Sequence, residues 1–150
     1  MEKALIGAGC FWGIEEYFRK LKGVKKTSAG YSGGNFDNPN YKDVCTGETG
    51  HVEVVLIEYE KTLLSYPELL SHFWKCHDPT QINGQGFDIG TQYRSVIFYY
   101  SDEQKKIAED SKENFQKSIN KRVATKINKA KEFFLAEDYH QCYIQKKNLV

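Results

Sequence analysis

The spacing of apolar residues predicts three helices, each with one buried face. The first is marked by four apolar residues at the i, i+3, i+4, i+7 spacing: Ile14, Tyr17, Phe18 and Leu21. A second is expected to be capped by Ser65 and to run through residues 68–77, with Pro67 in its first turn. A third is expected to open at Ser101, where Gln104 would complete a capping box.

Strand-like segments alternate with these helices, at residues 4–6, 24–31, 50–59, 95–100 and 123–127. Two segments rich in Gly, Asn and Pro, residues 32–43 and 78–92, are expected to be loops. The order predicts an α+β fold, a two-layer α/β sandwich with a ferredoxin-like mixed sheet and helices mainly on one face. Loops this long in a small domain are typical of functional surfaces.

Composition narrows the class of protein. The chain has 150 residues without a linker or repeat, so one domain over residues 1–150 is expected. Its 21 Lys and Arg balance 20 Asp and Glu, which indicates neither a nucleic-acid partner nor a membrane partner. The Lys-rich stretch at residues 117–131 lacks stacking aromatics and is interpreted as a solvated face. No segment resembles a membrane span or a signal peptide, so a cytoplasmic location is expected.

The four cysteines are widely spaced and form no C-x-x-C pair. In the cytoplasm they should be mostly reduced. His72 and Cys76 could share one helix face, but two ligands do not complete a zinc site, so no metal and no other cofactor is expected. Cys45 and Cys76 are interpreted as packing residues.

Cys10 is the candidate nucleophile. It lies between Gly9 and Phe11, where the first strand gives way to the first helix. Unpaired N–H groups and the helix dipole at such a position favour the thiolate, which is the reactive form. A buried structural cysteine is the alternative, since free cysteines are often buried.

Polar residues on the later strands and loops could work with this thiol. Glu53 alternates with Val55 and Ile57 on one strand face. If that face is buried, the pKa of Glu53 rises and the residue can act as a general acid; if it lies at an edge, the carboxylate is merely solvated. Tyr41 and Tyr93, at loop boundaries, could donate hydrogen bonds to a substrate oxygen. Asp88 could serve the site or a turn.

Eight short segments together resemble the signature of the A-type peptide methionine sulfoxide reductases. The most specific is Gly-Cys-Phe-Trp-Gly at residues 9–13. The others follow in the family's order, at residues 30–34, 39–41, 44–47, 49–53, 77–81, 88–95 and 136–141. The resemblance therefore covers almost the whole chain.

The resemblance implies a role for each candidate. Cys10 would attack the sulfoxide sulfur and become a sulfenic acid as methionine is released, and Glu53 would protonate the oxygen. Tyr41 and Tyr93 would hold that oxygen, with Asp88 in the same site. The substrate's methyl group would lie against two aromatic residues, Phe11 and Trp12. The family takes the S epimer.

Regeneration is the point at which the chain departs from many relatives. These carry recycling cysteines in a glycine-rich extension, and the chain is expected to lack that extension. Cys142 is the internal candidate for resolving the sulfenic acid. Otherwise thioredoxin, glutaredoxin or a small thiol would reduce Cys10 directly.

The sequence thus predicts a monomeric cytoplasmic reductase of methionine-S-sulfoxide, free or in proteins. Two other classes stay open. One is an acyl-transfer hydrolase that uses Cys10 with His51 as base. The other is a noncatalytic module that binds methionine sulfoxide or senses oxidants through Cys10.

Overall fold

A six-stranded sheet forms the centre of the computed structural model, which describes residues 1–148. Its strands are β1 (Glu2–Ala8), β2 (Val24–Ser32), β3 (Val52–Tyr59), β6 (Ser95–Tyr99), β7 (Lys126–Lys129) and β8 (Phe134–Leu135). The strand order is β7-β6-β1-β3-β2-β8, and only the β6–β7 pair is parallel. Two short strands, β4 (Gly84–Gln85) and β5 (Asp88–Ile89), form a separate hairpin.

Five helices accompany the sheet: α1 (Phe11–Arg19), α2 (Tyr41–Cys45), α3 (Tyr66–Lys75), α4 (Asp102–Lys117) and α5 (Tyr143–Asn148). The succession β1-α1-β2-β3-α3-β6, with the order β6-β1-β3-β2, is the ferredoxin-like arrangement. The predicted fold class is therefore confirmed, and β7 and β8 extend the sheet at its two edges.

Both faces of the sheet are covered, which explains why β1 and β3 are apolar at consecutive positions. Ala4 and Ile6 lie in the larger cluster, with the helices, whereas Leu5 lies on the opposite face. That second face is small and is covered by Ala130 and Phe133, from the segment between β7 and β8. The helices thus lie mainly on one face, as predicted.

The helix starts follow the predicted caps, with one difference. Ser65 accepts a hydrogen bond from the Glu68 N–H, and Ser101 accepts one from the Gln104 N–H. The capping box at Ser101 is wrong, however, because the Gln104 carboxamide does not bond back to the Ser101 N–H. It accepts from the Tyr100 N–H and donates to the carbonyl of Lys3. Gln104 is buried, and its amide joins α4 to β1 instead.

The segment before β7 and the two predicted loops differ from the sequence pattern in the structure. The last predicted strand begins later, at Lys126, because Ala124 donates its N–H to the carbonyl of Pro79 rather than to β6. The first predicted loop contains α2, which is closed by a capping box between Asn40 and Asp43. The second contains the β4–β5 hairpin. No helix within residues 1–148 is long and apolar enough to cross a membrane.

Candidate active site

Cys10 lies at the junction of β1 and α1 as the residue that precedes the helix. The turn depends on Gly9, whose φ is +105° and whose missing side chain leaves room for Gln85, 2.9 Å from an ideal Cβ. Gly7 is equally constrained, because a Cβ there would lie 2.6 Å from the Val52 side chain. These close approaches place the turn between β1 and α1, which carries Cys10, directly against β3 and the β4–β5 hairpin.

The Cys10 thiol is favoured over the thiolate. Its pKa is raised to about 11, chiefly by burial and also by the negative charges of Glu53 and Asp88. The N–H groups of Trp12 and Gly13 do lower the pKa, as expected at a helix start, but burial outweighs them. The predicted effect of the helix start on the thiol is therefore present, but it does not by itself yield a thiolate.

Glu53 is buried beside this thiol. It is 1 % exposed and shares the helix-covered face of β3 with Val55 and Ile57, so the solvated-edge alternative is wrong. Its Oε1 atom accepts the Phe11 N–H at 3.2 Å, while Oε2 has no partner. Burial raises its pKa to about 8; the Phe11 N–H lowers the pKa and the Asp88 charge raises it. The carboxyl is thus mostly protonated at neutral pH.

Two phenols complete the polar side of this site. The Tyr41 and Tyr93 hydroxyls lie within electrostatic reach of each other, and the Cys45 side chain lies near Tyr41. Burial raises the pKa of both phenols, and the charge of Glu53 raises both further. Both therefore stay neutral and can donate. Cys45 itself is exposed at the end of α2, so its assignment as buried packing is wrong.

Asp88 lies on β5 and is exposed. Its charge raises the pKa of both Cys10 and Glu53, which places it within electrostatic reach of the pair. No hydrogen bond fixes its carboxylate among the described residues.

The apolar side of the site is built from stacked rings. Trp12 stacks on Tyr143 with 3.9 Å between centroids, and its indole N–H donates to Nδ1 of His140 at 2.8 Å. Phe11 is almost fully buried and lies 6.5 Å from the Tyr41 ring. The two aromatics thus form a wall in which Phe11 is the inner member and Trp12 the outer one.

Three side chains support the site and were not identified individually from the sequence: Glu137 is half-buried, and His140 and Glu15 are buried. Glu137 accepts the Tyr31 hydroxyl at 2.9 Å and the Tyr41 N–H at 3.0 Å, which fixes the start of α2. His140 packs 4.6 Å from Tyr41, and its Nε2 atom has no partner. Glu15 is fully buried on α1 and accepts the Thr27 hydroxyl. The signal for the first two was their place within a matched motif.

Cys142 directly precedes Tyr143, the residue that stacks on Trp12, and it is hydrogen-bonded to Glu15. Its N–H donates to Glu15 Oε1 at 2.7 Å, and its thiol lies 3.7 Å from Oε2. Burial raises the pKa of this thiol, and the charge of Glu15 raises it further. Five helix positions separate Cys10 from Glu15, about 7.5 Å along the axis. All four cysteines are free.

His51 is occupied elsewhere. Its Nδ1 accepts the Gly34 N–H at 3.1 Å, and its Nε2 then donates to the carbonyl of Phe36 at 2.6 Å. Since both nitrogens bind backbone groups, His51 anchors the loop before α2. The structure therefore does not support the acyl-transfer hydrolase, because His51 is not available as its base.

The model of the family described as "Peptide methionine sulfoxide reductase" matches residues 2–149. The chain belongs to the peptide methionine sulfoxide reductase family. It is 54 % identical over 152 residues to the peptide methionine sulfoxide reductase MsrA of Methanosarcina mazei, covering 100 % of this chain and 72 % of that protein. It is 53 % identical over 143 residues to the chloroplastic reductase A4 of Arabidopsis thaliana, covering 95 % and 55 %.

Solved structures show the same relationship. Methionine sulfoxide reductase A of Corynebacterium diphtheriae is 38 % identical with a TM-score of 0.94, covering 99 % of this chain and 76 % of that one. Reduced Mxr1 of Saccharomyces cerevisiae gives 37 % identity and a TM-score of 0.93, covering 99 % and 87 %. Mxr1 in complex with Trx2 gives 25 % identity and a TM-score of only 0.68, covering 95 % and 84 %.

Proposed function

We propose that this chain is a peptide-methionine (S)-S-oxide reductase in which Cys10 attacks the sulfoxide sulfur and Glu53 protonates its oxygen. One observation carries the assignment of roles: a buried, protonated carboxyl with one unpartnered oxygen is hydrogen-bonded to the first N–H of the helix that Cys10 precedes. A sulfoxide becomes a good electrophile only when its oxygen is protonated or hydrogen-bonded.

The first half-reaction balances within the site. The Cys10 sulfur bonds to the substrate sulfur while the sulfoxide oxygen takes the proton of Glu53. The oxygen is then transferred to Cys10, methionine leaves with the electron pair on its sulfur, and Cys10 remains as a sulfenic acid. Two electrons have passed from Cys10 to the methionine sulfur. The thiol proton of Cys10 goes to the Glu53 carboxylate, which restores the acid.

The remaining side chains orient the substrate. The neutral Tyr41 and Tyr93 phenols donate hydrogen bonds to the sulfoxide oxygen, and Asp88 keeps the pKa of Glu53 high. The substrate methyl group packs on Phe11 and Trp12. Because the oxygen and the methyl group are directed to different walls, only one sulfoxide epimer presents its sulfur to Cys10.

Regeneration of Cys10 requires a thiol. We assign it to thioredoxin or another external thiol, with Cys142 as the candidate resolving residue; the complex of the relative Mxr1 with Trx2 supports the first part. Cys142 would have to leave Glu15 to reach Cys10.

The substrates would be methionine-S-sulfoxide in proteins and the free amino acid. A single catalytic domain over residues 1–150, a monomeric state, a cytoplasmic location and a role in repair after oxidative stress stay predictions. So does the absence of nucleic-acid and membrane partners.

A single-turnover assay tests the assignment. Prereduced enzyme without added reductant is mixed with a peptide that carries the separated S or R sulfoxide. About one methionine per enzyme from the S form alone is expected. Glu53→Gln should slow that turnover by about 10²-fold or more, the usual contribution of a general acid, while Glu48→Gln, an exposed control, should not. Undiminished turnover by Glu53→Gln would remove the acid role.

The oxidised protein from the single-turnover assay also tests whether Cys142 is a resolving cysteine. A Cys10–Cys142 disulfide by mass spectrometry identifies an internal resolving residue, whereas a sulfenic acid on Cys10 identifies an external one. Cys142→Ser should then spare the single turnover and abolish turnover with thioredoxin, and Cys45→Ser, which removes another thiol, should spare both. Full thioredoxin-linked turnover by Cys142→Ser would exclude the resolving role.

A further inference from the structure

A cleft of about 830 Å³ lies outside the active site, between the second half of α4, the segment before β7 and the start of the second long loop. Four cationic side chains line it: Lys112, Lys121, Arg122 and Lys126. No carboxylate lines the cleft, and none of the four cations forms an ion pair within residues 1–148. The lining of the cleft, hereafter the basic cleft, is therefore positively charged. The Asp78 carboxylate lies outside this lining, bonded to Thr80 and within electrostatic reach of Lys121.

Hydrogen bonds fix the backbone of the segment that carries Lys121 and Arg122. The Gln116 carboxamide donates to the carbonyl of Lys121 and accepts the N–H of Val123, each at 2.8 Å. The Ala124 N–H donates to the Pro79 carbonyl at 2.7 Å. The pKa of Lys112 is lowered by burial and by the neighbouring cations. An anion in the cleft would relieve this repulsion without a change of backbone shape.

One loop joins the basic cleft to the active site. Thr80 and Ile82 line the cleft, and the same loop then forms the β4–β5 hairpin that carries Asp88. Gln85 bonds the N–H and the carbonyl of Asp78, at 2.8 and 2.5 Å, and its side chain packs on Gly9 beside Cys10. The hairpin is thus fixed between the thiol and the cleft.

Three apolar side chains of this loop are exposed. Ile82 is 75 % exposed, Phe87 is fully exposed and Ile89 is 73 % exposed. Exposed apolar residues grouped on one rigid loop beside a reactive site are typical of a surface that receives a partner. Ile82 and Gln85 are three residues apart, so the two Cα atoms lie at most about 11 Å from each other.

We propose that the hairpin and the basic cleft together form a substrate-binding surface for oxidised proteins, on which acidic residues several positions from the methionine sulfoxide occupy the cleft. An extended peptide with its sulfoxide at Cys10 crosses the apolar hairpin and reaches the cations about four to eight residues away. This surface gives the enzyme a preference for sulfoxides in acidic, unfolded segments. The inference rests on the proposed reductase function and adds a class of protein substrate.

The experiment compares three substrates: free methionine-S-sulfoxide, a peptide with one S-sulfoxide and neutral flanks, and peptides with Asp and Glu four to eight residues before or after the sulfoxide. The test variant is Lys121→Gln/Arg122→Gln, which removes two exposed cations of the cleft. Lys22→Gln/Lys61→Gln is the matched control, because it removes two exposed cations outside the cleft and changes net charge equally.

The wild-type enzyme should show a higher kcat/KM for at least one acidic peptide than for the neutral one. The cleft variant should lose about threefold to tenfold of that kcat/KM, mainly through KM. Higher salt should reduce the wild-type preference, since exposed charges are screened. Free methionine sulfoxide and the neutral peptide should be reduced equally by all three proteins.

Two results would overturn the inference: equal kcat/KM for acidic and neutral peptides in the wild-type enzyme, or equal losses in the cleft and control variants. Binding of a single-stranded oligonucleotide that needs Lys121 and Arg122, without any peptide preference, would also overturn it in favour of a nucleic-acid surface. Failure of the proposed function is distinguishable, because the wild-type enzyme would then leave free methionine sulfoxide unreduced.

Discussion

Replacement of Glu53 by Gln is expected to remove a loss of stability that the wild-type protein suffers between pH 5 and pH 8. The pKa of Glu53 is about 8 in the folded protein, because burial disfavours the charged carboxylate, against 4.5 for an ordinary Glu. Below pH 4.5 the carboxyl is protonated in both states. As the pH rises further, the unfolded chain releases this proton while the folded protein retains it, so the free energy of unfolding falls until the pH passes about 8.

The size of this effect follows from the two pKa values. They differ by about 3.5, and one pKa unit corresponds to about 1.36 kcal/mol, so the complete loss is about 5 kcal/mol. The portion between pH 5 and pH 8 is about 3–4 kcal/mol by the same relation. Gln keeps the shape and the acceptor for the Phe11 N–H but does not titrate. The free energy of burying the Gln side chain does not change with pH. It therefore does not affect how the difference in free energy of unfolding between the two proteins varies with pH.

Urea unfolding at pH 5, 6, 7 and 8 measures the prediction. The free energy of unfolding of Glu53→Gln minus that of the wild type should rise by about 3 kcal/mol from pH 5 to pH 8. Other titrating groups, including buried His77, contribute equally to both proteins. The exposed Glu48→Gln control should run parallel to the wild type. Parallel curves for Glu53→Gln would show that Glu53 is ionised in the folded protein and would refute its role as an acid.

Three further predictions concern other positions. Asp88→Asn should move the alkaline limit of the single-turnover rate to lower pH, because the Asp88 charge raises the pKa of Glu53; an unchanged pH profile would contradict that coupling. Burial lowers the pKa of His77 to about 4, so the stability of the wild type relative to His77→Asn, measured by guanidinium unfolding, should fall by about 2 kcal/mol from pH 7 to pH 4.5, and a constant difference would contradict this. Gly30→Ala should destabilise by about 1–3 kcal/mol in thermal unfolding, since a Cβ would lie 2.3 Å from a ring of the segment before β8. Gly13→Ala, with no atom within 4 Å of its Cβ, should instead stabilise α1 by about 0.5–1 kcal/mol, and equal effects of the two would refute this reasoning.

Local spacing predicted those features whose physics is local. The period of two in β3 placed Glu53 on the face of Val55 and Ile57, and that face is buried. The cap at Ser65 formed because its hydroxyl and the Glu68 N–H are three residues apart. The shared strand face and the cap do not depend on how distant segments meet, whereas the burial of that face does.

The supporting carboxylates could not be predicted in this way. Glu137 bonds Tyr31 across 106 residues of sequence, and Glu15 bonds Cys142 across 127. A buried carboxylate needs partners, but the sequence does not identify which distant donors the fold brings to it. Gln104 failed as a capping box for the same reason, since Lys3 reaches it through the sheet.

The protonation state of the site was also decided by tertiary structure. The sequence correctly located Cys10 at a helix start, where N–H groups lower its pKa, but the larger opposing effect of burial comes from β3 and the hairpin. The basic stretch 117–131 likewise was interpreted as a solvated face. Folding places three of its cations, Lys121, Arg122 and Lys126, with Lys112 around one cleft.

The sequence by itself determined the family, the order of elements and the residue types that meet at Cys10, because motifs and hydrophobic periods are written in neighbouring positions. Only the tertiary structure decided that Glu53 holds a proton, that His51 is engaged by backbone and that Cys142 is held by Glu15. Desolvation and hydrogen-bond geometry depend on every atom packed around a group, and most of those atoms belong to residues far away in the chain.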